Sequence, residues 1–82
     1  MDKDFSLLMA KLVKFHRKKA HLSQAGLAHL AGVGKTVVYD LEKGKSTLKL
    51  NTIQLILAAL NIRLRFEGPL IAEFEISEAL LK

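Results

Sequence analysis

Two short helical patterns separated only by Gly32-Val33 restrict the fold of this chain more than any other feature. On the N-terminal side, Leu22-Ser23 pairs an apolar residue with a helix-capping side chain, and Leu27 completes a hydrophobic staple. On the C-terminal side, Val33-Gly34 repeats the arrangement with Val38. Helices over about 23–31 and 34–43 follow, with Gly44 a natural stop for the second. So short a break cannot keep both helices on one axis, so they cross steeply. Ala28 is small enough for the crossing, Gly32 can take a positive φ, and Val33, Val38 and Leu41 anchor the second helix. The start and one face of that helix then project from the body, and a helix of this size fits the major groove of DNA.

The flanking sequence supplies the rest of an all-α unit. Apolar residues at 5, 8, 9, 12, 13 and 15 predict an amphipathic first helix over 5–19, with basic residues gathered in its last turn. Leu50-Asn51, with Leu55 as staple and Gln54 where a capping box needs it, starts a fourth helix over about 51–60. Beyond it the period changes. Ile62-Arg-Leu-Arg-Phe66 alternates apolar and basic residues, a strand signal, and Gly68-Pro69 breaks the chain. Residues 70–76 alternate in part, which allows a hairpin with Glu73 across from Arg65 and Glu75 across from Arg63; a terminal helix over 70–81 is the alternative. A lone strand needs a partner for its backbone, and the simplest is the same strand of a second protomer. Ile62, Leu64 and Phe66, with Ile53, Ile56, Leu57 and Leu60 of the fourth helix, are candidates for that interface, unless they fill the protomer's own core. The expected plan is a four-helix helix-turn-helix domain over 1–61 and a β-strand or hairpin with its tail over 62–82, pairing across a dimer.

Composition narrows the class. Eighty-two residues, half of them hydrophobic, make one domain with a core. There is no cysteine, so neither disulfides nor thiolate metal sites contribute, which suits a reducing cytoplasm. No apolar run approaches the roughly 20 residues of a bilayer span, and Asp2 and Asp4 stand where an export signal needs basic residues. The net charge of +5 is unevenly spread: Lys11–Lys49 holds nine Lys or Arg against Asp40 and Glu42, whereas four Glu follow Phe66 with only Lys82 opposing them. A basic body suits a polyanion, and an acidic tail suits some other contact. An enzyme reading finds little support. His16, His21 and His29 form no HExxH-type pair, and Gly34-Lys35-Thr36 lacks both the upstream glycine and the strand of a phosphate-binding loop. No cofactor is expected. A membrane-surface role is weakened because the basic residues spread over several helices. An interaction module without DNA binding stays open; it predicts no salt-dependent affinity for duplexes.

Ser23-Gln24-x-x-Leu27-Ala28-x-x-Ala31-Gly32-Val33, followed by Val38-x-x-Leu41-Glu42-x-Gly44-Lys45, resembles the Cro/cI (Xre-type) helix-turn-helix family over about 11–60. The resemblance implies an ion pair between Arg17 and Glu42. It further implies base contacts from Lys35 and Thr36 at the start of the recognition helix, and from Tyr39 and Asp40 one turn on. Ser23, Gln24, Lys43, Gly44 and Lys45 would hold backbone phosphates. Gly26 departs from the pattern, since the family often places an acid there; a mid-helix glycine costs about 0.5–1 kcal/mol relative to alanine. A homodimer would set two recognition helices about 34–36 Å apart on a palindromic operator. The plan ending in Leu60-Asn-Ile-Arg-Leu-Arg-Phe66 is similar to HipB-like antitoxins, which implies an autorepressor partnered by a HipA-type kinase toxin, working at the bacterial nucleoid.

Overall fold

The computed structural model describes residues 3–81 as five helices: α1 (Lys3–Lys19), α2 (Gln24–Ala31), α3 (Lys35–Glu42), α4 (Leu50–Ala59) and α5 (Ile71–Leu81). Met1, Asp2 and Lys82, to which the readings of the leader and the tail charge extend, lie outside the described residues. The first four helices end by one device. His21, Gly32, Gly44 and Asn61 each take a left-handed φ, at 58°, 73°, 84° and 60°. After each, the next N–H reaches back five residues: Leu22 to Arg17 (3.1 Å), Val33 to Ala28 (3.0 Å), Lys45 to Asp40 (3.1 Å) and Ile62 to Leu57 (2.9 Å). This closure satisfies carbonyls that a helix end would otherwise leave unpaired, and it turns the chain sharply. Glycine is required most strictly at 44, where an added Cβ would also lie 3.0 Å from Leu7 Cδ2 of α1.

One core joins these helices: Met9 and Val13 of α1, Leu27, Ala28 and Ala31 of α2, Val38 and Leu41 of α3, and Ile53, Ile56 and Leu57 of α4. α3 rests on α1 and α2, and α4 on α2. No helix among the described residues is long and apolar enough to cross a membrane.

Three expectations need correction. The buried side of α1 is rotated by one residue from the apolar pattern: Ser6, Met9, Ala10, Val13 and Arg17 are buried, while Phe5, Leu8 and Phe15 are exposed. Arg17 draws its own face inward, as its contacts below explain. α4 starts at Leu50 with Lys49 at its cap and no side-chain cap bond, and Leu50 and Leu55 are both exposed, so the staple is absent. Ile53, Ile56 and Leu57 fill the protomer's own core, the alternative open to them, and Leu60 and Ile62 are partly buried against it. Lastly, there is no strand or hairpin among the described residues: 62–67 carry no regular structure, and α5 replaces the second strand. Pro69 stands in the first turn before α5, where a missing N–H is harmless, and Ile71 and Phe74 donate to Gly68 O (3.3 Å) and Leu70 O (2.9 Å). Ala72, Glu73, Glu75, Glu78, Ala79, Leu80 and Leu81 are good helix formers, and their preference outweighs the partial alternation of 70–76.

Candidate nucleic-acid interface

Ser23 begins the site. Its backbone is extended (φ −77°, ψ 167°), and its hydroxyl accepts the Gly26 N–H at 2.9 Å, so an orphan donor of the α2 N-terminus is satisfied. An alanine Cβ at position 26 would sit 3.2 Å from that hydroxyl, and the cap closes here on a glycine rather than through a reciprocal acid. Gly32 then stops α2, and α3 opens three residues later with Gly34 extended at its cap (φ −75°, ψ 150°).

α3 is sharply two-sided. Val38 and Leu41 are buried and Val37 is half-buried. At 100° per residue, Lys35, Thr36, Tyr39, Asp40 and Lys43 share an arc on the opposite side. Lys35, Thr36, Tyr39 and Lys43 are exposed, and Asp40 is half-buried. The two lobes of that face are tied down locally: Lys45 Nζ lies 3.4 Å from Asp40 Oδ2, and Lys43 Nζ lies 5.4 Å from the centre of the Tyr39 ring. Asp40 therefore meets a cation of its own chain at the edge of the face. Ser23 and Lys45 are exposed, and Gly44 is half-buried.

Beneath α3 the structure joins Arg17 and Glu42. Arg17 Nε donates to Glu42 Oε2 at 2.6 Å and Nη2 to Oε1 at 2.9 Å, a forked pair whose side chains are 11 % and 4 % exposed. Arg17 Nη1 also donates to Leu22 O (2.8 Å), and Gln24 Nε2 to Glu42 Oε1 (3.2 Å). One carboxylate thus ties the end of α1, the start of α2 and the end of α3 together. Burial, the largest influence on Glu42, pushes its pKa up; the hydrogen bonds from Arg17 and Gln24, with the charges of Arg17 and Lys14, outweigh it and hold the carboxyl below its ordinary value. Arg17 is raised, chiefly by its hydrogen bond to Glu42, against a smaller opposing effect of burial.

A shallow depression opens over this pair, lined by Lys14 and Lys18 of α1 together with Gln24, Tyr39 and Lys43. The reading of the sequence passed over Lys14 and Lys18. The signal was available: once Arg17 reaches Glu42, Lys14 three residues before it shares its side of α1, and Lys18 lies one turn on from Lys14. His16 Nδ1 donates to Leu12 O (2.7 Å) within α1, while His21 and His29 are exposed. Among the described residues no group of three or more His, Asp or Glu is placed to hold a metal. The exposed Lys35 and Lys43 of α3 and Lys14 and Lys18 of α1 together give this side of the molecule a cationic face.

Comparison with known proteins agrees with this geometry. Residues 13–66 match the family model described as helix-turn-helix. An uncharacterized HTH-type transcriptional regulator, y4mF, of Sinorhizobium fredii (strain NBRC 101917 / NGR234) is 36% identical over 58 residues, covering 71% of this chain and 76% of that protein.

Proposed function

Since the chain belongs to the Cro/cI-type (Xre-type) helix-turn-helix family of DNA-binding transcriptional regulators, we propose that it is a sequence-specific repressor that reads the major groove with α3. The observation that carries this reading is the division of α3, with Val38 and Leu41 sunk in the core and Lys35, Thr36, Tyr39 and Lys43 turned outward. Lys35 and Thr36, at the projecting N-terminus, meet base edges; Lys favours the O6 and N7 acceptors of guanine, and Thr offers a hydroxyl and a methyl to thymine. Tyr39 and Asp40 follow one turn deeper along the face. Ser23, Gln24, Lys43, Lys45 and the backbone of Gly44 hold phosphates and so fix the register of α3. Arg17 and Glu42 make no readout themselves. They keep Gln24 and the end of α3 at a set spacing.

Residues 1–61 form the DNA-binding unit in this proposal and 62–82 a contact arm. Two copies on a palindromic operator place their α3 helices one turn of DNA apart, about 34–36 Å. Such a repressor works in the cytoplasm at the nucleoid. A narrower second reading, an autorepressing antitoxin of a HipA-type kinase, draws support from the four-helix plan followed by a short apolar segment. Co-purification with a kinase encoded beside this chain tests that reading.

The principal test is selection of duplexes from a random pool, followed by titration of the selected and a scrambled duplex between 50 and 200 mM salt. Expected are a preference of at least a thousandfold for the selected duplex and a steep fall of affinity with salt. Equal affinity for both duplexes would overturn base reading by α3.

A further inference from the structure

Lys14 and Lys18 add nothing to the stability of the fold. They stand four residues apart on α1, both exposed, and like charges at that spacing weaken a helix. Lys18, in the last turn, is favoured by the helix dipole; Lys14, further back, gains little from it. The ion pairs described above, Arg17 with Glu42 and Lys45 with Asp40, leave both lysines out. Their common ground is the depression over Arg17 and Glu42, which Gln24 closes from α2 and Tyr39 and Lys43 close from α3.

The chemistry of that depression is one-sided. Among its described lining residues Glu42 is the one carboxylate, against Lys14, Arg17, Lys18 and Lys43. That carboxylate is already occupied: Arg17 donates to both its oxygens and Gln24 to one, and its side chain is 4 % exposed. Asp40 lies outside the lining, with Lys45 Nζ 3.4 Å from it. What remains for an incoming group is a set of donors. Lys14, Lys18 and Lys43 offer ammonium groups, Tyr39 a hydroxyl, and Gln24 the second N–H of an amide whose first is held by Glu42. Such a set takes an anion with several oxygens.

The place of the depression beside α3 identifies the anion. A helix with its side chains is about 10–12 Å across and the major groove about 12 Å wide, so a recognition helix leaves no room in the groove for a second element. Residues that flank it meet the bordering strand rather than base edges. We propose that the depression seats one backbone phosphate of that strand, held by Lys14 and Lys18 from α1, Gln24 from α2 and Lys43 from α3. The assignment rests on the reading of α3 above and makes α1 an anchor of the complex, with both of its lysines on the same phosphate. Arg17 and Glu42, which tie the three helices together, keep these donors at one spacing.

Titrations of the selected and the scrambled duplex between about 50 and 200 mM salt test this with variants of exposed side chains, which should melt with the wild type in circular dichroism. Lys14→Gln with Lys18→Gln is expected to weaken both duplexes alike, by about tenfold, and to lower the salt slope by about 0.9, the value for one phosphate. Lys11→Gln with Lys19→Gln removes equal charge from exposed positions of α1 outside the depression and should lower the slope by less than half as much. Replacing single phosphates of the selected duplex by neutral methylphosphonates then locates the contact. At one position per bound protomer the wild type should lose affinity and the chain without Lys14 and Lys18 should lose none. A double variant with the wild-type slope overturns the proposal, as does a control that lowers the slope equally, or a duplex in which no phosphate is felt by the wild type alone. Inorganic phosphate in place of chloride, at constant ionic strength and without DNA, covers the other source of the same chemistry. A melt raised in wild type but not in the double variant, with equal duplex affinity in both, would assign the hollow to free phosphate and overturn the DNA contact. Failure of the contact stays distinct from failure of the reading beneath it. A chain indifferent to these lysines that still prefers its selected duplex refutes the phosphate seat and leaves base reading by α3 standing.

Discussion

Removing Glu42 is the sharpest probe of how the recognition helix is held. In Glu42→Ala, Arg17 loses two charged hydrogen bonds, at 2.6 and 2.9 Å, and Gln24 loses one at 3.2 Å. The guanidinium keeps only Leu22 O, at 2.8 Å, while its side chain remains about nine-tenths enclosed (11 % exposed). Breaking one side of a buried pair costs about 3–5 kcal/mol, mostly because the abandoned charge stays out of water. The retained Leu22 bond and the shallow depression above Arg17 place this case at the lower end, about 3 kcal/mol. A chain of this length has roughly 4–12 kcal/mol in total, so the loss is a large share of it. The melting temperature should fall by roughly 12–24 °C.

The double variant Arg17→Met with Glu42→Leu separates the pair from its members. Both charges leave together and apolar side chains of similar size take their place, so stability should return to within about 1 kcal/mol of wild type. Urea unfolding of wild type, Arg17→Met, Glu42→Leu and the double variant at pH 7 closes the cycle, with an expected coupling of at least 2 kcal/mol. DNA affinity should not recover in parallel, because Gln24 and the end of α3 have lost the carboxylate that spaces them. The reasoning fails if Glu42→Ala costs less than 1 kcal/mol, or if the double variant is as unstable as the two single losses added.

Other expectations follow from the same geometry. Lys35→Ala should cost about 1–3 kcal/mol on the selected duplex and relax preference at one base pair, whereas Lys45→Ala should weaken all duplexes alike and reduce the salt slope by about one; titrations on specific and random DNA distinguish the two. His21→Gly should raise stability by about 0.5–1 kcal/mol in urea unfolding, because an exposed β-carbon in left-handed backbone (φ 58°) is relieved. Because Glu42 has a lowered pKa in the folded chain, its contribution is present above the unfolded carboxyl pKa, about 4.3, and is lost as pH falls through the lower folded value. The stability gap between wild type and Glu42→Gln should therefore be constant near neutrality and narrow below about pH 4; a gap that widens on acidification would contradict the sign.

What could be read from the chain depended on whether each part is governed by local chemistry or by a distant partner. Ser23, Gly32, Gly34 and Gly44 act on their own neighbours, and α2, the turn and α3 fall within one or two residues of where those signals place them. Arg17 and Glu42 lie twenty-five residues apart, so no periodicity could link them, and only the family resemblance paired them. The error on α1 has the same origin. Apolar spacing turns Phe5, Leu8 and Phe15 inward, but the face of a helix that ends in a buried, paired arginine is set by that charge, and the apolar residues beside it are left in water. Lys14 and Lys18 escaped notice because their position follows from Arg17's partner and not from their own spacing. In the arm, two opposed apolar stripes cancel the period of 3.6 that would announce a helix, and the residual alternation in 70–76 imitates a strand. A helix apolar on both sides is the pattern expected of an element packed between two surfaces. The protomer offers one such surface, the groove that Leu64 and Phe66 line with Ile71 and Phe74, yet α5 buries no residue.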